Sequence, residues 1–253
     1  MMPARFDFGY PWWLTWGHVT VLLPAAAAFL VGAARKWRKG QMLLLAALVL
    51  WSGASIVVTR LLFNVNSIPP LPAHGFFREG KGRVLDIGAG TGRSSIMVLN
   101  SRPQATLVAL DLFGESFEHH FGRGQSPQAQ LRANLRAAGV DHRATIETAD
   151  MRKLPFESGT FDAIVSAYAM DHLNRRGIEQ SLAEAARVVK PGGEFLLIVV
   201  ANDPWAKFAF GPMLAHGGTH GPAWWTARLQ EAGFQLLEEG TYPISRYLLA
   251  RRP

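Results

Sequence analysis

The chain contains no cysteine among its 253 residues. That excludes a disulfide framework, a cysteine-ligated zinc site and a cysteine nucleophile. Acidic residues are scarce at the front, where Asp7 and Glu79 are the only two in the first 80 positions. Against them stand Arg5, Arg35, Lys36, Arg38, Lys39, Arg60 and Arg78, so this part carries +5 of a total net charge of +7. The basic excess therefore sits in an apolar stretch, where cations commonly flank membrane segments. Residues 81–253 are nearly neutral and lack a basic stripe, which argues against a nucleic-acid partner. A carboxylate cluster that would hold a metal is also missing, and no metal site is expected.

What the front of the chain does have is hydrophobic length. Residues 12–34 are apolar apart from His18 and threonines, and 42–63 form a second such run. Each is long enough for a bilayer. The basic turn 35–39 joins them, and Trp12, Trp13, Trp16, Trp37 and Trp51 include several near the ends, as interfacial anchors would be. Residues 1–63 are accordingly expected to form a membrane helical hairpin. Two other readings stay open: buried helices of a soluble protein, and a cleaved signal peptide for the first run. The positive-inside rule would put the basic turn in the cytoplasm and both ends outside. Residues 64–80, with Pro69, Pro70 and Pro72, read as a stiff linker.

The rest of the chain is organised around Val84-Leu85-Asp86-Ile87-Gly88-Ala89-Gly90-Thr91-Gly92. It reads as a strand buried on both faces, then a glycine turn, then a helix from about Arg93 with free N–H groups at its start. A second strand, 105–110, ends at Asp111, the position from which an acid meets a ribose hydroxyl in βαβ nucleotide sites. Further along come a helix opening at Ser126-Pro127, strands 144–148 and 162–166, a helix 178–189 closed by Lys190-Pro191-Gly192-Gly193, strand 194–200, helix 223–232 and a terminal antiparallel pair, 234–241 and 245–251.

An acid before the first glycine, in Asp-Ile-Gly-Ala-Gly-Thr-Gly, resembles motif I of class I S-adenosylmethionine-dependent methyltransferases. The later Ala149-Asp150-Met151 and the helix–Pro-Gly-Gly–strand pattern are similar to the same superfamily. The resemblance covers about residues 80–253. It implies an α/β fold, a seven-stranded, mostly parallel Rossmann-like sheet with helices on both faces, and a methyltransferase domain over 81–253. It also implies S-adenosylmethionine as cofactor, with S-adenosylhomocysteine as product. Cofactor contacts would come from Asp86, Gly88, Ala89, Gly90 and Gly92, from Asp111 with Leu112, from Asp150 and Met151, and from Ser166 at the end of strand four. In the family the acid at the Asp150 position accepts from the adenine amino group.

Acceptor chemistry is expected after strand four, in Tyr168 to Leu173. His172 is the first candidate for a base or orienting group, since imidazole takes a proton near neutral pH. Tyr168 lies beside it, and the loop 112–125 adds His119 and His120. A structural role for Asp171 and His172, capping the next helix, weighs as much. This segment lacks the Asn/Asp-Pro-Pro-aromatic motif of the nucleic-acid amino methyltransferases. Together with the hairpin and two aromatic loops, 112–125 and 201–222, that suggests a lipophilic or membrane-resident small molecule, such as a phospholipid amine, quinone or small thiol, with membrane lipid as a further partner. The catalytic domain is expected to face the cytoplasm, in conflict with the basic turn. The other reading is a membrane-anchored module that binds S-adenosylmethionine without turnover.

Overall fold

The computed structural model describes residues 6–10, 12–62, 64, 66–114, 126–201, 204, 207–208, 220–242 and 245–253. The expected histidines His119 and His120 lie outside the described residues, as does most of the loop 201–222.

Seven strands form one sheet: β1 (Gly82–Ile87), β2 (Ala105–Asp111), β3 (Ala144–Thr148), β4 (Phe161–Ala167), β5 (Val189–Val200), β6 (Gln235–Tyr242) and β7 (Ser245–Arg251). Their order is β3-β2-β1-β4-β5-β7-β6. β1 to β5 run parallel, and β7 is antiparallel to both β5 and β6. The order reverses between β1 and β4, the crevice where open α/β sheets bind ligands.

Period-two alternation sends side chains to two cores. On one face Val84, Leu107, Val165 and Leu196 pack with Ile96 and Met97 of a helix after β1 and with Leu131 of the helix before β3. On the other, Leu85, Ile87, Ile164 and Leu197 meet Ile178, Leu182, Trp225 and Leu229. The helices are α1 (Trp12–Trp16), α2 (Val19–Ala34), α3 (Lys39–Val57), α4 (Arg93–Ser101), α5 (Pro127–Ala137), α6 (Arg175–Val188) and α7 (Pro222–Glu231).

Four expectations need correction. The first apolar run is two helices, broken at Gly17-His18. Glycine weakens the helix there, and His18 turns inward, edge-on to Trp51 at 5.3 Å between ring centroids. α2 then has 16 residues, about 24 Å at 1.5 Å per residue, short of a roughly 30 Å hydrocarbon core. Among the described residues one helical run, Lys39–Arg60, with mean hydropathy 2.2, is long and apolar enough to cross a membrane, rather than the two expected. Its last turn widens to a π-type turn, Val58–Leu62, which accompanies a contact of the Arg60 guanidinium over the Trp16 ring at 4.3 Å.

Second, the segment expected as a stiff linker packs against the domain at residues 66–80. Leu71, Ala73, Phe76 and Phe77 are buried in the core shared with α4. Arg102 donates to the carbonyls of His74, Phe76 and Phe77, while Arg93 donates to those of Asn64 and Ser67. The reason is α4 itself, which offers a cation at each end to a chain with unpaired carbonyls.

Third, α6 starts at Arg175, and Asn174 caps it by accepting from the Gly177 N–H at 2.9 Å. Asp171 and His172 are therefore not the cap. Fourth, Lys190-Pro191-Gly192-Gly193 lies within β5 as a bulge, with Val189 paired to Phe161 and Glu194 to Ala163. A Cβ on Gly193 would come within 2.8 Å of the Asp162 carbonyl oxygen, so only glycine lets the bulge close.

Candidate active site

The glycine turn is hung from the end of β2. The N–H groups of Gly88 and Ala89 donate to the Leu110 carbonyl at 2.8 and 3.0 Å. The Gly90 N–H donates to Asp111 Oδ2 at 2.9 Å, and the Phe113 N–H to Asp111 Oδ1 at 3.0 Å. Each carboxylate oxygen keeps further lone-pair capacity, and Asp111 is partly exposed at the carboxyl end of its strand. This is an acid pre-aligned for a diol, which fits a ribose.

The glycines themselves do different work. Gly88 has φ +75°, and a Cβ there would lie 2.2 Å from Ala169 Cβ. Its missing side chain lets the turn after β1 touch the segment after β4 across the crevice. Gly92, at φ +94°, gives way to Leu131 of α5 in the same manner. Met151 Cε lies 3.4 Å from where the Gly88 Cβ would be, so Met151 stands beside the turn. Leu112 is half exposed next to Asp111.

Asp86 is fully buried on the α4 side, where Ser94 and Ser95 donate to its Oδ2 at 2.7 and 2.6 Å. Its Oδ1 has no hydrogen-bond partner. Burial pushes its pKa up to about 6 against the two serine bonds, with the Asp111 charge adding to the rise.

Asp150 is turned to solvent and gripped by Arg152, whose guanidinium donates to both carboxylate oxygens. Arg152 holds the Asp150 carboxyl below its ordinary range. The Ser166 hydroxyl is buried and donates to the Ile87 carbonyl at 2.8 Å. It ties β4 to β1 beneath the crevice.

After β4 the backbone turns at Tyr168, with φ +55°. The Tyr168 hydroxyl shares a 2.7 Å hydrogen bond with Ser245 Oγ at the start of β7. Burial pushes its phenol up to about 12, against the Ser245 bond and the Arg93 charge. It therefore keeps its proton at neutral pH and can orient a group but not act as a base. His172 is exposed, whereas its neighbour Asp171 on the one-turn helix Met170–His172 is 7% exposed.

One part of this edge escaped the sequence. Residues 6–10 lie across the glycine turn. The Thr91 hydroxyl donates to the Phe8 carbonyl at 3.0 Å, and Asn134 of α5 binds the Asp7 N–H, the Asp7 carbonyl and the Thr91 carbonyl. Phe8 is fully buried. Tyr10 follows within electrostatic reach of Arg93 and Asp171; burial raises its phenol, Arg93 opposes the rise and Asp171 adds to it. Nothing local in Phe6–Tyr10 signals this, because the hydrogen-bond partners of Asp7 and Phe8 across the turn are 83 to 127 residues away. Among the described residues no group of three or more His, Asp or Glu could hold a metal.

Residues 84–193 match the family model described as a methyltransferase domain. The chain is 32% identical over 121 residues to the ubiquinone/menaquinone biosynthesis C-methyltransferase of Bartonella henselae, covering 47% of this chain and 42% of that protein. It thus spans less than half the length of that relative. An O-methyltransferase family protein from Burkholderia thailandensis has the same fold with a TM-score of 0.59 at 17% identity, over 95% of this chain and 69% of that one. An O-methyltransferase family 2 protein from Planctomyces limnophilus, solved with apigenin, gives a TM-score of 0.58 at 16% identity, over 91% and 61%. Sheet order and glycine turn are those of a Rossmann-like sheet, and residues 84–193 are similar to a methyltransferase domain. Such domains take a methyl group from S-adenosylmethionine, and Asp111 and the Gly88–Gly92 turn fit that group.

Proposed function

We propose that this chain methylates a lipophilic, quinone-type small molecule at a membrane surface. The observation that carries the reading is the hairpin. Leu30, Leu43 and Leu50 are at least 70% exposed on α2 and α3, an exposed apolar face of the kind that marks a membrane or partner contact. That hairpin is joined to the acceptor side of the domain, because the Trp51 indole N–H donates to the Phe208 carbonyl in the segment after β5 at 2.8 Å. An apolar acceptor leaving the bilayer would meet the site beside this contact. The similarity to a relative named for ubiquinone and menaquinone biosynthesis supports a quinone-type acceptor over a phospholipid amine or thiol.

In this reading the hairpin is a lipid-surface anchor with its 35–39 cations at the headgroups of the cytoplasmic leaflet. The 16-residue length of α2 supports a dip over a full crossing. The catalytic domain then faces the cytoplasm, where the donor is made, and the positive turn no longer conflicts with that side.

When bound, the donor supplies a methyl group on a sulfonium, already activated for in-line transfer. The chain's share is to hold the ribose at Asp111, to seat the acceptor near Tyr168 and to exclude water.

The test uses the full chain in detergent with methyl-labelled donor, offered a membrane lipid extract or an aqueous metabolite pool. Label in a quinone-type fraction of the extract is the expected result. Label confined to the aqueous pool overturns the reading. Donor binding with no label in either pool favours a binding module without turnover. Flotation with anionic vesicles, reduced in the L43Q/L44Q/L50Q variant, checks the anchor.

A further inference from the structure

Asp171 sits where the carboxyl ends of β4 and β5 meet. Its Oδ2 accepts the N–H of Val200, the last residue of β5, at 3.2 Å. Its Oδ1 is enclosed and has no hydrogen-bond partner. Leaving a buried carboxyl oxygen unpaired costs free energy that folds seldom tolerate, and each such atom in an otherwise satisfied structure calls for an explanation. Among the described residues Asp86 is the other carboxylate in this state. Asp86 is sealed under α4 by Ser94 and Ser95, in the floor of the turn. Asp171 lies instead on the acceptor side of the crevice, with Tyr168 three residues before it and Tyr10 brought in from the front of the chain.

The groups around Asp171 are suited to a ring bearing oxygen. Tyr10 and Tyr168 both feel its charge, and both feel Arg93 from the start of α4. Ser245 holds the Tyr168 hydroxyl from β7. Four separate elements thus bring oxygen-bearing side chains and one cation to a single edge. The groove between α7 and β6, lined by Pro222, Thr226, Gln230, Leu236 and Glu239, has no cation beside its polar side chains.

We propose that Asp171 Oδ1 makes the polar contact to an oxygen substituent of the methyl acceptor, and so selects oxygenated rings over bare hydrocarbon. This rests on the quinone-type reading above. Asp171 is then a specificity residue and the exposed His172 is not. A carboxyl group can accept from a hydroxyl when ionised and can donate to a carbonyl when protonated, so the contact holds for either protonation state. Burial raises the Asp171 pKa, while the His172 charge and the Val200 N–H oppose the rise. Sites built to bond a polar group reject the analogue lacking it far more strongly than apolar pockets reject a methylene.

The experiment measures binding of two probes to the full chain in detergent, in the presence of S-adenosylhomocysteine. One is a short-chain 1,4-hydroquinone and the other is the same alkylbenzene without ring oxygens. Wild type is expected to prefer the hydroquinone by about tenfold or more, the scale of a hydrogen bond to a carboxyl. Asp171→Leu, similar in size, is expected to cut that preference to about twofold by weakening hydroquinone binding alone. Asp171→Asn, which still donates and accepts, is expected to keep most of it. S-adenosylhomocysteine affinity should stay within about twofold in both variants. An unchanged preference in Asp171→Leu overturns the proposal, and so does parallel loss of S-adenosylhomocysteine binding in both variants. If wild type ignores both rings but binds ethanolamine phospholipid, the quinone-type reading falls, and the Asp171→Leu effect on that lipid decides Asp171 separately. If wild type binds none of the three probes, both readings fall.

Discussion

The Gly90 N–H and the Asp111 carboxylate, 21 residues apart in sequence, are joined by a 2.9 Å hydrogen bond that links the glycine turn to the end of β2. The same carboxylate that would receive the ribose therefore also shapes the turn. Asp111→Asn gives up the charge and one accepting oxygen. We expect S-adenosylhomocysteine to bind about tenfold to a hundredfold more weakly, the scale of a charge-assisted bond. Titration calorimetry on the full chain reads this directly, and affinity within twofold of wild type would remove Asp111 from the donor site.

Gly88 cannot carry a side chain. Gly88→Ala places a Cβ 2.2 Å from Ala169 at a backbone φ of +75°. The cost is expected to be roughly 3 kcal/mol or more. Adding Ala169→Gly should relieve the collision and leave the backbone strain of about 1–2 kcal/mol. Urea unfolding of the single and double variants separates the two parts, and a single variant as stable as wild type would contradict the packing described.

Asp86 predicts a pH dependence with a definite sign. Its folded pKa, about 6, lies above the ordinary value of 3.8. The folded state therefore holds a proton that the unfolded chain releases between these values. Its contribution to stability is full below about pH 4 and is lost as pH rises through 6, by about 3 kcal/mol in all. Asp86→Asn retains acceptance from Ser94 and Ser95 without the charge. Unfolding free energies at pH 4.5 and 7.5 should fall less between the two in the variant than in wild type. Equal slopes would show that Asp86 does not carry the effect.

Asn134 pins the front of the chain to the site. Asn134→Ala removes bonds to the Asp7 N–H, the Asp7 carbonyl and the Thr91 carbonyl. A loss of about 1–3 kcal/mol is expected, together with faster amide exchange in residues 7–10. Unchanged exchange there would mean that Phe8 burial alone holds the segment.

Much of the domain was legible because its signals are local. β3 was read at its observed limits, and β1, β2 and β4 within a residue or two, since buried parallel strands are short apolar runs bounded by turns. The glycine turn and Asp111 were legible for the same reason: one strand, one turn and one helix start define them. The α6 start was misplaced because Asn174 caps through a bond that a helix-period pattern does not show. The β5 bulge was misread because Pro-Gly-Gly serves a helix end or a strand irregularity equally well.

His172 and Asp171 show where such reading stops. Adjacent residues point apart, and nothing local says which one faces the crevice. The sequence by itself determined the Rossmann-like sheet, the turn after β1 and the acid after β2, because each depends on neighbours a few residues away. Only the tertiary structure decided that Asp171 is enclosed and His172 exposed, that residues 6–10 lie on the turn, and that residues 66–80 are docked. Those outcomes depend on bonds between segments some 25 to 130 residues apart, and such bonds form only once the sheet has brought their partners together.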